Sequence, residues 1–115
     1  MDWYKAKVLC ESNKMHLASP KTEAENSAIY EHLKSLKIFD SLWLSASDVG
    51  RMGQGFVWHD GEELAKDSPL WDTDSPYSMG ADFGEEFCVT TGRKLREQMC
   101  VDEKFFVCEL PAECY

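Results

Sequence analysis

Between residues 62 and 86 the chain carries Glu62, Glu63, Asp67, Asp72, Asp74, Asp82, Glu85 and Glu86. Carboxylates crowded in this way could supply hard oxygens to calcium. Their spacing is not that of an EF-hand loop, and no bidentate Glu stands at its twelfth position. The plain alternative is a solvated acidic loop, the commoner fate of a charge run. The histidines His16, His32 and His59 offer less. None is spaced as a metal pair, and none adjoins a nucleophile with an orienting acid. His59 and Asp60 are neighbours, but consecutive residues of a strand point to opposite faces. No Gly-x-Ser-x-Gly, phosphate loop or paired-glycine dinucleotide motif occurs, so an enzyme is not expected.

Trp43, Trp58 and Trp71 belong to the stretches beside and within this acidic run. A small domain must bury its largest side chains, so these indoles read as core. Tyr77, inside the run, is the better placed ring for touching a ligand. The cysteines are Cys10, Cys88, Cys100, Cys108 and Cys114. No Cys-x-x-Cys pair exists, which excludes a zinc ribbon or a thioredoxin-type redox motif. Two disulfides with one spare thiol are compatible with these counts, and the counts alone leave the pairing open. A reduced cytosolic chain is the alternative. Cys114, next to the C-terminal residue, is the natural candidate for a bond to a partner chain.

The elements that position these groups fall in two halves. Trp3, Ala6 and Cys10 lie on one face of a helix that Ser12-Asn13 ends. Thr22 with Glu25 forms a capping box behind Pro20, and Ile29, Leu33 and Leu36 recur at helical spacing. Two helices therefore precede residue 38. Ser41–Ser45 and Gly55–Trp58 are short, aromatic and β-prone, and Asp60-Gly61 signals a turn. Residues 62 to 86 show no periodic apolar pattern, and a loop of that length in a compact domain is usually functional. Phe87–Thr90 and Lys104–Cys108 read as closing strands. The expected class is α+β, in one domain spanning residues 1–115. The net charge of -9 disfavours nucleic acid and anionic membrane surfaces as partners. No apolar run approaches the ~18 residues of a membrane-crossing helix, so membrane insertion is not expected. Met1-Asp2-Trp3 lacks the basic start and apolar stretch of a signal peptide, so a secreted protein would carry its signal ahead of this numbering.

The order of these pieces resembles the C-type lectin-like domain, and the likeness runs from residue 3 to residue 109. Trp3, Ala6 and Cys10 match its first helix. Met15-His16-Leu17-Ala18-Ser19 resembles its Gly-Gly-His-Leu-Ala-Ser stretch, and Glu25, Ile29 and Leu33 its second helix. Trp43–Asp48 is similar to its Trp-Ile-Gly strand, and Phe56–Gly61 to its aromatic-x-Trp-x-Asp-Gly strand. Trp71, Cys88, Cys100 and Phe106-Val107-Cys108-Glu109 follow in order. Trp43–Asp48 and Lys94-Leu95 are similar to secreted arthropod members. The resemblance implies Cys10–Cys108 and Cys88–Cys100 disulfides, two helices with twisted antiparallel sheets, and a long loop region carrying the ligand site.

The departures from the family pattern bear on function. Sugar-binding members hold calcium through a Glu-Pro-Asn or Gln-Pro-Asp triplet, a later Glu, and an Asn-Asp pair before the third core cysteine. Here those places read Ser75-Pro76-Tyr77, Glu86 and Arg96-Glu97. At the family's second calcium position Asp48 matches, but Met52 replaces an acid. A guanidinium among the ligands repels calcium. The resemblance thus implies no metal at the usual place and no cofactor. Arg96 is expected to replace the calcium charge by pairing with Glu86. Trp71, Ser75, Pro76, Tyr77, Glu86, Arg96 and Glu97 are the candidate ligand-binding residues. The implied role is a secreted recognition module of innate immunity, independent of calcium, with a protein or atypical glycan ligand. The alternative is a carbohydrate-binding lectin using a non-standard site in the acidic loop, with or without calcium.

Overall fold

The computed structural model describes residues 1–50, 55–65, 67–72 and 86–110. Met52, Asp74, Ser75, Pro76, Tyr77, Asp82, Glu85 and Cys114 lie outside these residues. The chain starts with helix α1 (Trp3–Ser12), whose N-cap Asp2 accepts a hydrogen bond from the Lys5 N–H. Its buried residues are Trp3, Ala6 and Cys10, the face their spacing predicts. Strand β1 (His16–Leu17) follows, then helix α2 (Glu23–Ser35). The Thr22 hydroxyl caps α2 by accepting from the Glu25 N–H, as the capping box requires.

The apolar spacing of α2 misleads, however. Leu36 closes the helix as an exposed C-cap, and Asn26 is the buried residue. The Asn26 amide donates to the carbonyls of Gly92 and Arg93, and Ile29 packs against the core. Asn26 and Ile29 thus anchor the helix, with the Glu23–Lys94 ion pair and the Arg93 guanidinium over Tyr30 beside them. An apolar stripe of full width is not needed where a buried amide donates to two carbonyls.

Strand β2 (Trp43–Ser47) is buried along its whole length. It is followed by β3 (Phe56–Val57), β4 (Glu63–Leu64), β5 (Phe87–Thr90), β6 (Arg96–Met99) and β7 (Cys108–Glu109). Five strands form one antiparallel sheet in the order β4-β3-β2-β5-β6. β1 and β7 form a separate two-stranded ribbon that brings the two ends of the chain together. Two helices and antiparallel sheets make the α+β class expected from the sequence. The closing segment enters as an isolated pairing of Phe106 with Trp43 before β7 begins at Cys108.

The core has two parts, divided by β2. Leu44, Ala46, Phe56, Trp58, Leu64, Leu70, Trp71, Val89 and Leu95 form one. Trp3, Ala6, Cys10, Leu17, Trp43, Cys88 and Cys100 form the other. The Trp3 indole N–H donates to the Leu44 carbonyl, so this buried ring keeps a polar partner. Disulfides Cys10–Cys108 and Cys88–Cys100 join α1 to β7 and β5 to the turn after β6.

Candidate ligand-side site

Strand β6 is the edge of the large sheet, and it carries Arg96 and Glu97. Trp71 lies beside its start, where the residue bridges to Leu95. The Leu95 N–H donates to the Leu70 carbonyl and the Asp72 N–H to the Leu95 carbonyl, which fixes residues 70–72 against the strand. The Trp71 indole stands edge-on to Phe56, with ring centroids 5.2 Å apart, and donates through Nε1 to the Ala65 carbonyl at 2.8 Å. It is only 6% exposed. The sequence reads Trp71 both as core and as a candidate ligand-binding residue, and the structure buries its ring.

Arg96 projects outward, its side chain 63% exposed, and its Nε donates to Asp72 Oδ2 at 2.8 Å. Glu97, its neighbour, is buried. Adjacent strand residues face opposite ways, and the two side chains obey that alternation.

Glu86 is elsewhere, and the expected Arg96–Glu86 pair does not form. In the β5–β6 ladder Thr90 faces Arg96, while the Glu86 carbonyl accepts from the Cys100 N–H at the other end. Arg96 and Glu86 are therefore separated by four rungs, about 13 Å along the strands. The Cys88–Cys100 bond brings strands side by side without bringing these two side chains together.

The Glu86 carboxylate is instead used inside the fold. Oε1 accepts from the Tyr4 hydroxyl of α1, and Oε2 accepts from the Gly50 N–H at 3.0 Å. Gly50 has φ +77, a left-handed conformation that glycine adopts without penalty. Burial first, then the Glu86 hydrogen bond and charge, raise the Tyr4 pKa well above that of a free phenol, so it stays a donor. Asp48, fully buried, accepts from the Phe87 N–H through Oδ1 at 2.7 Å. Its Oδ2 has no hydrogen-bond partner among the described residues. Burial, supported by the Glu86 charge, raises the Asp48 pKa, while the Phe87 N–H opposes that shift.

These contacts test whether calcium fits the family's places. Calcium takes about six to eight oxygens. Here a guanidinium occupies one position, both oxygens of Glu86 have protein donors, and Glu97 is buried. Among the described residues no group of three or more His, Cys, Asp or Glu side chains is arranged to hold a metal ion. Among the described residues the usual calcium set is represented by Glu86, Arg96 and Glu97, and these three are not arranged to hold an ion together.

A second polar cluster escaped sequence reasoning. The rings of His16 and His59 stack, with centroids 3.6 Å apart and planes 10° from parallel. Ser19 Oγ lies 3.0 Å from His59 Nδ1 and 2.6 Å from Ser45 Oγ. Ser19 and His59 are 40 residues apart in sequence and Ser19 and Ser45 are 26 apart, and the fold joins them through β1 with the segment after it, β2 and the β3–β4 turn. A serine beside a histidine invites comparison with a catalytic pair. No carboxylate bonds the other nitrogen of His59 among the described residues, and Ser19 is buried and already bonded to Ser45. The nucleophile is shut away and the base unoriented, so the pair lacks the geometry of acyl transfer.

The comparisons with known proteins agree with this architecture. Residues 1–110 match the Lectin C-type domain family. Bovine collectin-43 (Bos taurus) is 28% identical over 106 residues, covering 90% of this chain. The chain spans about a third of the length of that relative, 32%. TC14, a C-type lectin from the tunicate Polyandrocarpa misakiensis, superimposes with a TM-score of 0.82 at 24% identity. That match covers 98% of this chain and 92% of the tunicate chain. The carbohydrate-recognition domain of cow CD23, solved in the presence of GlcNAc2Man3 oligosaccharide, has a TM-score of 0.74 and 25% identity. It covers 99% of this chain and 83% of its own. With its two helices, terminal ribbon and five-stranded sheet matched from end to end, the chain belongs to the C-type lectin domain family.

Proposed function

We propose that this domain is a secreted recognition module that binds its ligand without calcium at the family's usual position. The observation that carries this reading is the double use of Glu86: both carboxylate oxygens serve Tyr4 and Gly50, while Arg96 is paired with Asp72. A sugar cannot share a calcium ion that these side chains do not hold. The binding face is the edge around β6, floored by Trp71 and bearing Arg96 and Asp72. Ser75, Pro76 and Tyr77 lie outside the described residues and are proposed as ligand contacts on the family resemblance alone. The ligand is a protein or an atypically bound glycan, and a protein is favoured because the sugar-chelating set is altered. The role is innate recognition of microbial surfaces or partner proteins, with no catalysis. Secretion is supported by two disulfides, which persist in oxidising compartments. Among the described residues no helix is long and apolar enough to cross a membrane.

One observation favours the rival, a lectin that recruits calcium in a non-standard way. Asp48 Oδ2 is buried without a described partner close to Glu86, and a cation would satisfy it. Binding to a glycan array and to immobilised microbial surface material, each in calcium and in EDTA, separates the two. Equal binding in both buffers is expected. Loss of binding in EDTA would establish the rival.

A further inference from the structure

The His16–His59 stack sits at a seam. His16 belongs to the β1–β7 ribbon, and His59 to the turn between β3 and β4. The hydrogen bonds around His59 close on themselves. Its backbone N–H donates to Ser45 Oγ, and every group is used when the Ser45 hydroxyl hydrogen goes to Ser19 Oγ. The Ser19 hydroxyl hydrogen is then left for His59 Nδ1. A hydroxyl donates once, so this circuit is complete only while Nδ1 accepts. A proton on Nδ1 reverses the flow and leaves the buried Ser45 hydroxyl without an acceptor among the described residues.

The stack adds a second constraint. His16 Nδ1 donates to the Leu17 carbonyl at 2.7 Å and lies 3.7 Å from Glu109 Oε1. A charge on His16 is thus met by Glu109. Asp60, the acid next to His59, is engaged by Lys21, which also pairs with Glu62. Two imidazolium rings at 3.6 Å would repel face to face. Nor can the pair chelate a metal as it stands, because a bound ion must lie in the plane of each ring and these planes are nearly parallel.

We propose that the His16–His59 stack and its serine circuit form an acid-opened latch between the terminal ribbon and the β3–β4 turn, and that opening it loosens the support of Trp71. The path is short. The turn is closed by the Trp58 N–H to the Glu62 carbonyl and the Gly61 N–H to the Trp58 carbonyl. It leads into β4, which among the described residues pairs only with β3, and then to Ala65, whose carbonyl holds the Trp71 indole. The Lys21 pairs cross the same seam but are exposed, and such pairs hold little on their own. Burial, then the charge of His16, lowers the His59 pKa; Asp60 opposes the shift, and Lys21 and then Glu109 act more weakly in opposite directions. The latch is therefore shut at neutral pH.

The consequence for ligand release rests on the ligand face proposed above; the latch itself does not, and its test needs no ligand. Hydrogen-exchange protection factors, corrected for the intrinsic pH dependence of exchange, are measured by NMR at pH 7.5 and 5.0 for the Gly61 amide and the Trp71 indole N–H. Acid is expected to lower both by roughly tenfold or more. His59→Phe keeps a flat ring against His16 but has no Nδ1 to take a proton, and its protection is expected to change less than about twofold between the two pH values. Should that variant fail to fold, His59→Gln, which keeps a side-chain acceptor and does not titrate, makes the same test. Constant protection in the native protein, or an equal fall in the folded variant, overturns the latch. A fall at Gly61 without one at Trp71 overturns the link to the ligand face.

Discussion

The phenol of Tyr4 on α1 is hydrogen-bonded to the carboxylate of Glu86, the residue leading into β5, across 82 positions of sequence. This contact holds helix and sheet together at the place where family members use Glu for calcium. The protein donor and the Gly50 N–H do locally what a metal does elsewhere: they satisfy a carboxylate and fix the chain around it.

Tyr4→Phe should therefore destabilise the domain by about 1–2 kcal/mol, somewhat below the range for a fully buried bond to a charged acceptor because the site is partly open to water. The midpoint of urea denaturation measures it. An unchanged midpoint would show that water replaces the phenol at no cost. The same variant frees Glu86 Oε1, so it also reports whether calcium can then bind: roughly 10 mM calcium should still leave the thermal midpoint unchanged, because Arg96 remains.

Asp48 separates two roles of one side chain. Oδ1 accepts the Phe87 N–H, while Oδ2 is buried without a described partner. Asp48→Asn keeps an acceptor and removes a buried charge, so its stability should lie within about 1 kcal/mol of the native protein. Asp48→Ala also strands the Phe87 N–H and should cost about 1–3 kcal/mol. Chemical denaturation at pH 7.5 compares them. Equal losses for both would mean that the charge itself, and hence a counter-charge near it, matters.

The two disulfides differ in the loops they close. Cys10–Cys108 spans a sequence separation of 98 and Cys88–Cys100 one of 12. Chain entropy then assigns about 4.7 kcal/mol to the first and about 3 kcal/mol to the second. Paired Cys→Ala variants should rank in that order by thermal midpoint. The reverse order would show that packing of Cys88 and Cys100 in the core outweighs chain entropy.

The parts of this fold legible in the sequence are those written in local signals. Trp3, Ala6 and Cys10 state one helical face, and Thr22 with Glu25 states a helix start. Strands β1 and β4 have two residues each, too few to show a period. Strand β6 reads Arg-Glu-Gln-Met and is a strand because β5 pairs with it, not because its own residues alternate in polarity. The site failed in the same way. Proximity of two disulfide-linked strands suggested Arg96 against Glu86, whereas register decides which side chains meet. Counting rungs from Thr90–Arg96 requires the ladder itself. The Tyr4–Glu86 and His16–His59 contacts join distant segments and have no local signature at all.

Stability should fall on mild acidification, and the sign follows from His59. Its folded-state pKa is lowered below the ordinary value of about 6.5, so the native state holds fewer protons than the unfolded chain as pH drops. The loss begins near pH 6.5 and is complete only once the pH has fallen through and below the depressed value. Other groups do not share this window or this sign. Asp60 is lowered by Lys21, so its contribution persists until pH falls through its own folded value, below about 4. Lys21 is raised by Asp60 and Glu62, and its contribution is lost only above about pH 10.5. Asp48, raised by burial, works in the opposite direction: its penalty is relieved as acid protonates it. His59→Phe cancels the histidine and keeps Asp48, so the difference between native and variant isolates the ring. Urea midpoints between pH 7.5 and 5.0 should fall for the native protein relative to His59→Phe. Parallel curves for the two proteins would show that His59 is not the group that titrates.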